Sequence, residues 1–304
     1  MVGFDMEKFQ GAMRRAASGA GNMSARIKVA LVGVPALLLI LFLTPPWAFG
    51  ILVGLIAGIS AVEFVSTTRS ARNIRVIGYV AVSALAIPIL QSFPLLPVDW
   101  MLVAVILVVV LFVEMLLAYE TERAMSVSHF GLNIVAGIVI PVFLGSLSTL
   151  RSIPEVGWFF DGRVYVMIPI VIAFTTDAGA YFAGRAFGKR KLLEKVSPKK
   201  TIEGAIGGFV AALIAMLIFT FVMVLGFEAE YSLLAVFLYS IVGSAITQIG
   251  DLAFSLIKRE YGKKDFGNLL PGHGGVLDRF DSMVFLAPFI TVMLFWLPIV
   301  LRSW

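Results

Sequence analysis

Cysteine is absent from this chain, so neither a disulfide nor a thiolate metal site can form. Charge is scarce too. Only 14% of the 304 residues are Asp, Glu, Lys or Arg, against about 25% in a soluble domain. Histidine occurs twice, as His129 and His273. What fills the space is apolar: 60% of the residues are hydrophobic and the mean hydropathy is +0.97. No single water-soluble core could bury that excess, so the chain is expected to be an all-α polytopic membrane protein. The alternation of a membrane barrel is missing, and helices satisfy their own backbone groups in lipid.

A spanning helix needs about 20 apolar residues. Runs near 28–44, 47–65, 76–93, 100–118, 130–148, 164–184, 204–226, 232–257 and 282–301 meet that length, which predicts about nine transmembrane helices. The first ~25 residues lack a small-residue cleavage site, and the run 28–44 leads through Pro45-Pro46-Trp47 into the next, so it is expected to be a retained helix. The organisation expected is a cytoplasmic segment over 1–27, N-terminal transmembrane helices over 28–150 and a catalytic transmembrane region over 151–304.

The net charge of +5 arises from 24 basic and 19 acidic residues. In a membrane protein such an excess marks cytoplasmic loops and anionic headgroups, and gives no reason to expect nucleic acid. Arg14, Arg15, Arg26 and Lys28 precede the first run, and Arg69, Arg72 and Arg75 follow the second. A third basic group runs from Arg185 to Lys200, and a fourth from Lys258 to Arg279. All four fall on one side if the N-terminus is cytoplasmic, which places the polar loops 185–203 and 258–281 there and a polar cavity in the C-terminal half.

Those loops and their flanks hold more than topology requires. Asp177 lies inside an apolar run, with Tyr181 and Arg185 on the same helical face. An intramembrane carboxylate is costly; it marks either a functional contact or a structural ion pair. Ser197, Lys199, Lys200, Thr201 and Glu203 precede a run that opens with Gly204, Gly207 and Gly208. A helix N-terminus beside two lysines suits phosphate, while the glycines fit either ligand approach or close helix packing. Asp251, Ser255 and Lys258 form one polar stripe at i, i+4 and i+7. Asp278 and Asp281 begin the last run after the glycine-flanked His273, which could bind phosphate or donate a hydrogen bond. Asp177, Asp251, Asp278 and Asp281 offer hard oxygen donors of the kind Mg²⁺ prefers, alongside substrate phosphates. Glu63 and Glu114 also lie within runs and rank below this set; His129 is expected to be solvated.

The stretch from Ser255 to Asp281 resembles the signature of the phosphatidate cytidylyltransferases, the CDP-diacylglycerol synthases. The resemblance rests on Ser255, Lys258-Arg259, Lys264-Asp265, Gly267, Pro271, His273-Gly274-Gly275 and Asp278-Arg279-Phe280-Asp281. Upstream, Asp177 to Tyr181 and Ser197 to Gly204 resemble further blocks of that family, with mild departures at Thr176 and Ile202. It covers roughly 173–285; the first five runs resemble the family only in being apolar.

What the resemblance implies is a reaction of CTP with phosphatidate, in phospholipid biosynthesis, that yields CDP-diacylglycerol and pyrophosphate. It implies Mg²⁺, with potassium as a second cation, held by Asp251 and Asp278 with Asp177 or Asp281 close by. It assigns Lys258 and His273 to catalysis with the carboxylates. Substrate contacts fall to Asp177, Tyr181, Ser197, Lys199, Lys200, Thr201, Glu203, Ser255, Arg259, Lys264, Asp265 and Arg279. A homodimer in the bacterial inner or cell membrane is implied as well. Two other readings of the residues stay open: a CTP-dependent lipid kinase, and an ion-coupled transporter with Asp177 as its coupling site.

Overall fold

A computed structural model describes residues 33, 35–71, 73–93, 99–119, 125–154, 162–227, 229–270 and 274–303. The basic residues of the N-terminal segment, His273 and the start of the first expected run lie outside the described residues. The rest of that run is a helix over 35–43, here α1. It is followed by α2 (Pro46–Thr68), α3 (Ile74–Gln91), α4 (Asp99–Ala118), α5 (Val127–Ile134) and α6 (Ile140–Arg151). Then come α7 (Gly162–Phe187), α8 (Ile202–Phe227), α9 (Leu233–Glu260) and α10 (Leu277–Trp296). Among the described residues, eight helical segments are long and apolar enough to cross a membrane, with α5 and α6 counted as one. The chain is a multi-pass, all-α membrane protein.

The join between α5 and α6 is a π-helical turn, Val135–Val139. A π turn leaves backbone carbonyls out of the α ladder. One of them, that of Gly137, accepts from Ser83 Oγ of α3 at 2.9 Å. Nearby Asn133 ties α5 to the end of α2, donating to Ser70 O at 3.1 Å and accepting from Ser70 Oγ at 3.2 Å. At the opposite end of the bundle, buried Arg151 closes α1 by donating to Leu41 O and Thr44 O. These bonds answer the demand that every polar group in an apolar medium find a partner.

Three features differ from the sequence expectation. The loop after α7 is not irregular: Lys191–Leu193 (β1) and Ser197–Thr201 (β2) pair antiparallel. The last helix starts at Leu277 and stops at Trp296, five residues earlier at each end than the apolar run suggested. Pro298 cannot continue a helix, and Ala229–Tyr231 (β3) instead pairs antiparallel with Val300–Ser303 (β4). Helix α8 also begins earlier, at Ile202, with Thr201 Oγ1 accepting from Gly204 N at 3.1 Å as its cap.

Helices α7 and α8 meet along a seam of small residues. A Cβ on Gly204 would lie 2.8 Å from Ala180 O, and one on Gly208 3.0 Å from Thr176 O. Gly179 and Gly207 face each other's helices just as closely. Close helix packing is therefore what these glycines do.

Candidate functional site

The seam, the hairpin and the C-terminal half of α9 enclose a cavity of about 360 Å³. Its lining includes Asp177, Tyr181 and Arg185 from α7, Lys199, Lys200 and Thr201 from β2, and Gln248 and Asp251 from α9. The spacing expected of α7 thus holds: Asp177, Tyr181 and Arg185 do share a face, and Arg185 Nη1 donates to Tyr181 Oη at 3.3 Å. The amino end of α8 opens at this cavity through Thr201 and Gly204.

Asp251 is the hub of the cavity wall. Its Oδ2 pairs with Lys200 Nζ at 2.5 Å, and its Oδ1 accepts from Ser255 Oγ at 3.2 Å. Both ion-pair partners are about a quarter exposed, at 26% and 27%, so the pair is open to an incoming ligand. Asp177 lines the same cavity, and Asp281 packs beside the residue before Asp251, its carbonyl 3.2 Å from the position of a Cβ on Gly250.

Behind the cavity lies a second, drier cluster. Lys258 Nζ sits 2.7 Å from Asp278 Oδ1 and 3.8 Å from Asp281 Oδ2, and 5.2 Å from the centre of the Phe266 ring. The Lys258 and Asp278 side chains are only 8% and 2% exposed. The second Asp278 oxygen accepts from Phe266 N at 2.8 Å and Gly275 N at 2.9 Å. This carboxylate therefore ties Phe266 and Gly275 to the start of its own helix. Asp281 Oδ1 accepts from Ser282 N at 2.8 Å.

The other residues expected at the site divide in two groups. Some brace its walls: Glu203 accepts from Lys189 N and Arg190 N, and Arg259 donates to Val196 O and Lys263 O, locking the hairpin to the end of α9. Others sit at the surface: Lys264, Asp265 and Arg279 are exposed, and Ser197 is half-buried in β2. His273 lies outside the described residues. Among the described residues, no three His, Asp or Glu side chains converge on a common metal position.

Sequence reasoning ranked Glu63 below the other carboxylates and expected it to face the cavity or pair with a basic residue. It sits in α2, nearly buried at 9% exposure, and accepts from Val276 N at 3.0 Å and Leu277 N at 2.9 Å. The signal was there, since a carboxylate within an apolar run is costly. Its partners are backbone amides, which no side-chain pattern reveals.

A sequence model of the Cytidylyltransferase family matches residues 24–297. The phosphatidate cytidylyltransferase of Bacillus subtilis is 39% identical over 184 residues, covering 60% of this chain and 65% of the relative. That of Staphylococcus haemolyticus is 40% identical over 160 residues, 50% of this chain and 60% of the relative. That of Haemophilus influenzae is 42% identical over 136 residues, 45% and 47% of the two. The chain thus aligns with less than two thirds of the length of each of these relatives.

Proposed function

Because this chain belongs to the cytidylyltransferase family, we propose that it transfers the cytidylyl group of CTP to phosphatidate, giving CDP-diacylglycerol and pyrophosphate. One observation carries the reading: the cavity joins the amino end of α8, Lys199 and Lys200 to the carboxylates Asp177 and Asp251, within a membrane-spanning bundle. Free amides and lysines at a helix start attract phosphate, while carboxylates hold the cation that phosphate requires. One substrate is a nucleotide from water and the other a lipid, and a cavity among spanning helices can admit both.

In this reading a phosphate oxygen of phosphatidate attacks the α-phosphorus of CTP. A new P–O–P bond forms, the bond to the β-phosphate breaks, and pyrophosphate leaves with the electron pair. No covalent enzyme intermediate is needed. Lys199, Lys200 and Arg185 offset the phosphate charge and orient the nucleotide. Mg²⁺ suits the hard oxygens of Asp251 and Asp177, with Asp281 near, and Asp251 already pairs with a cation in the form of Lys200. When bound, it would neutralise charge as the P–O bonds change. An ion at Asp278 would have to displace the Lys258 ammonium from Oδ1. The protein would act as a homodimer, with potassium as the second cation that the resemblance implies. Its active-site loops and N-terminus would face the cytoplasm, as the crowding of positive charge at that end supports.

The fate of the CTP phosphates tests it. Purified protein given phosphatidate, Mg²⁺ and CTP is expected to release pyrophosphate and place the α-phosphorus in the lipid. Release of CDP, with the γ-phosphorus in the lipid, would instead make it a kinase.

A further inference from the structure

Helix α10 begins without a cap of its own: Val276, the residue before Leu277, has an apolar side chain that accepts nothing. The first amides of a helix need acceptors, and a negative charge there gains further from the helix dipole. Both needs are met from α2. One Glu63 oxygen accepts from Val276 N and the other from Leu277 N, across 213 and 214 residues of chain.

Glu63 does not act alone. Thr67 Oγ1, one turn along α2, donates to Phe266 O at 2.9 Å. Phe64 stacks on Phe266 with ring centres 5.8 Å apart. Glycines let the loop come this close, since a Cβ on Gly267 or Gly275 would run into the Glu63 carboxylate. The C-terminal part of α2 therefore grips Phe266 through Thr67 and Val276 and Leu277 through Glu63. The same loop supplies two amides to Asp278, whose other oxygen meets Lys258.

We propose that Glu63 is a positioning residue for the transfer reaction, fixing the start of α10 and so the placing of Asp278 and Asp281 against Lys258. This rests on the function proposed above. Glu63 is not among the residues that line the cavity around Asp177 and Asp251, and its carboxylate instead holds the backbone of Val276 and Leu277. A carboxylate accepts two amides at once, whereas the amide of a glutamine offers one acceptor and turns donors toward the second N–H.

The test compares wild type, Glu63→Gln, Glu63→Asp and Thr67→Val in detergent or nanodiscs. Amide hydrogen exchange over 274–278 and steady-state kinetics are read together, with circular dichroism and gel filtration reporting the folded fraction. The expectation for Glu63→Gln is faster exchange at Val276 and Leu277, and a kcat lower by about 10–100-fold per folded molecule, with KM for CTP within a few-fold of wild type. Glu63→Asp, which keeps the charge, is expected to recover part of kcat, and Thr67→Val to show a smaller loss. Unchanged exchange at Val276 and Leu277 would overturn the proposal. So would a loss of activity that merely tracks the unfolded fraction. A wild-type protein with no cytidylyl transfer would count against the function, while the exchange comparison would still decide whether Glu63 holds the start of α10.

Discussion

Two lysines show how burial sets a residue's role. Lys258 and Asp278 form an almost dry pair, while Lys200 and Asp251 form one open to the cavity. Removing one partner of a buried pair strands a charge and costs about 3–5 kcal/mol, whereas an exposed pair contributes about 0–1 kcal/mol. Lys258→Met is therefore expected to lower the unfolding free energy by about 3 kcal/mol or more in a denaturant titration. Lys200→Met is expected to change it by less than about 1 kcal/mol while weakening CTP binding. Equal effects on stability would contradict this division. The stripe of Asp251 and Ser255 was legible in the sequence, because helical spacing alone brings the two side chains together. That Lys258 turns instead to Asp278 depends on how α9 packs against α10, which helical spacing within α9 does not encode. Glu63 was less legible still, its bonds going to main-chain amides in a distant segment.

At the scale of elements, the α7–α8 seam positions the cavity. Gly204 brings β2 and its lysines against α7, within reach of Asp251. Gly204→Val would force a side chain onto Ala180 O, 2.8 Å from the Cβ position, and overpacking of this kind costs about 1–3 kcal/mol. The variant is expected to unfold at lower temperature and to lose CTP affinity. Gly78→Ala, with nothing within 4 Å of its Cβ position, is expected to leave both unchanged, a gain of up to about 1 kcal/mol in helix propensity aside. If the two variants behaved alike, the seam would not be what holds the cavity. The helices themselves were legible from their apolar runs. The β1–β2 hairpin was not, because Lys191–Leu193 and Ser197–Thr201 are short, charged strands held by Arg259 and Glu203 from outside the hairpin.

Across the whole molecule, residues 188–201, 261–270 and 274–276 gather at one end of the bundle, with the last turn of α2. The β3–β4 pair and the Arg151 contacts with α1 lie at the other. Charge placement in the sequence anticipated that split, since positive residues crowd the first end. The absence of cysteine makes sidedness measurable. Lys195→Cys is expected to react with an impermeant maleimide only from the cytoplasmic side, and Glu230→Cys only from the opposite side; the reverse labelling would invert the proposed topology. The cavity around Asp251 is the proposed site of the CTP reaction. That assignment is tested most directly by the turnover of Asp251→Asn, measured per folded molecule with phosphatidate and Mg²⁺. A fall of at least ~100-fold is expected, with the fold intact. Turnover equal to that of the wild type would contradict it.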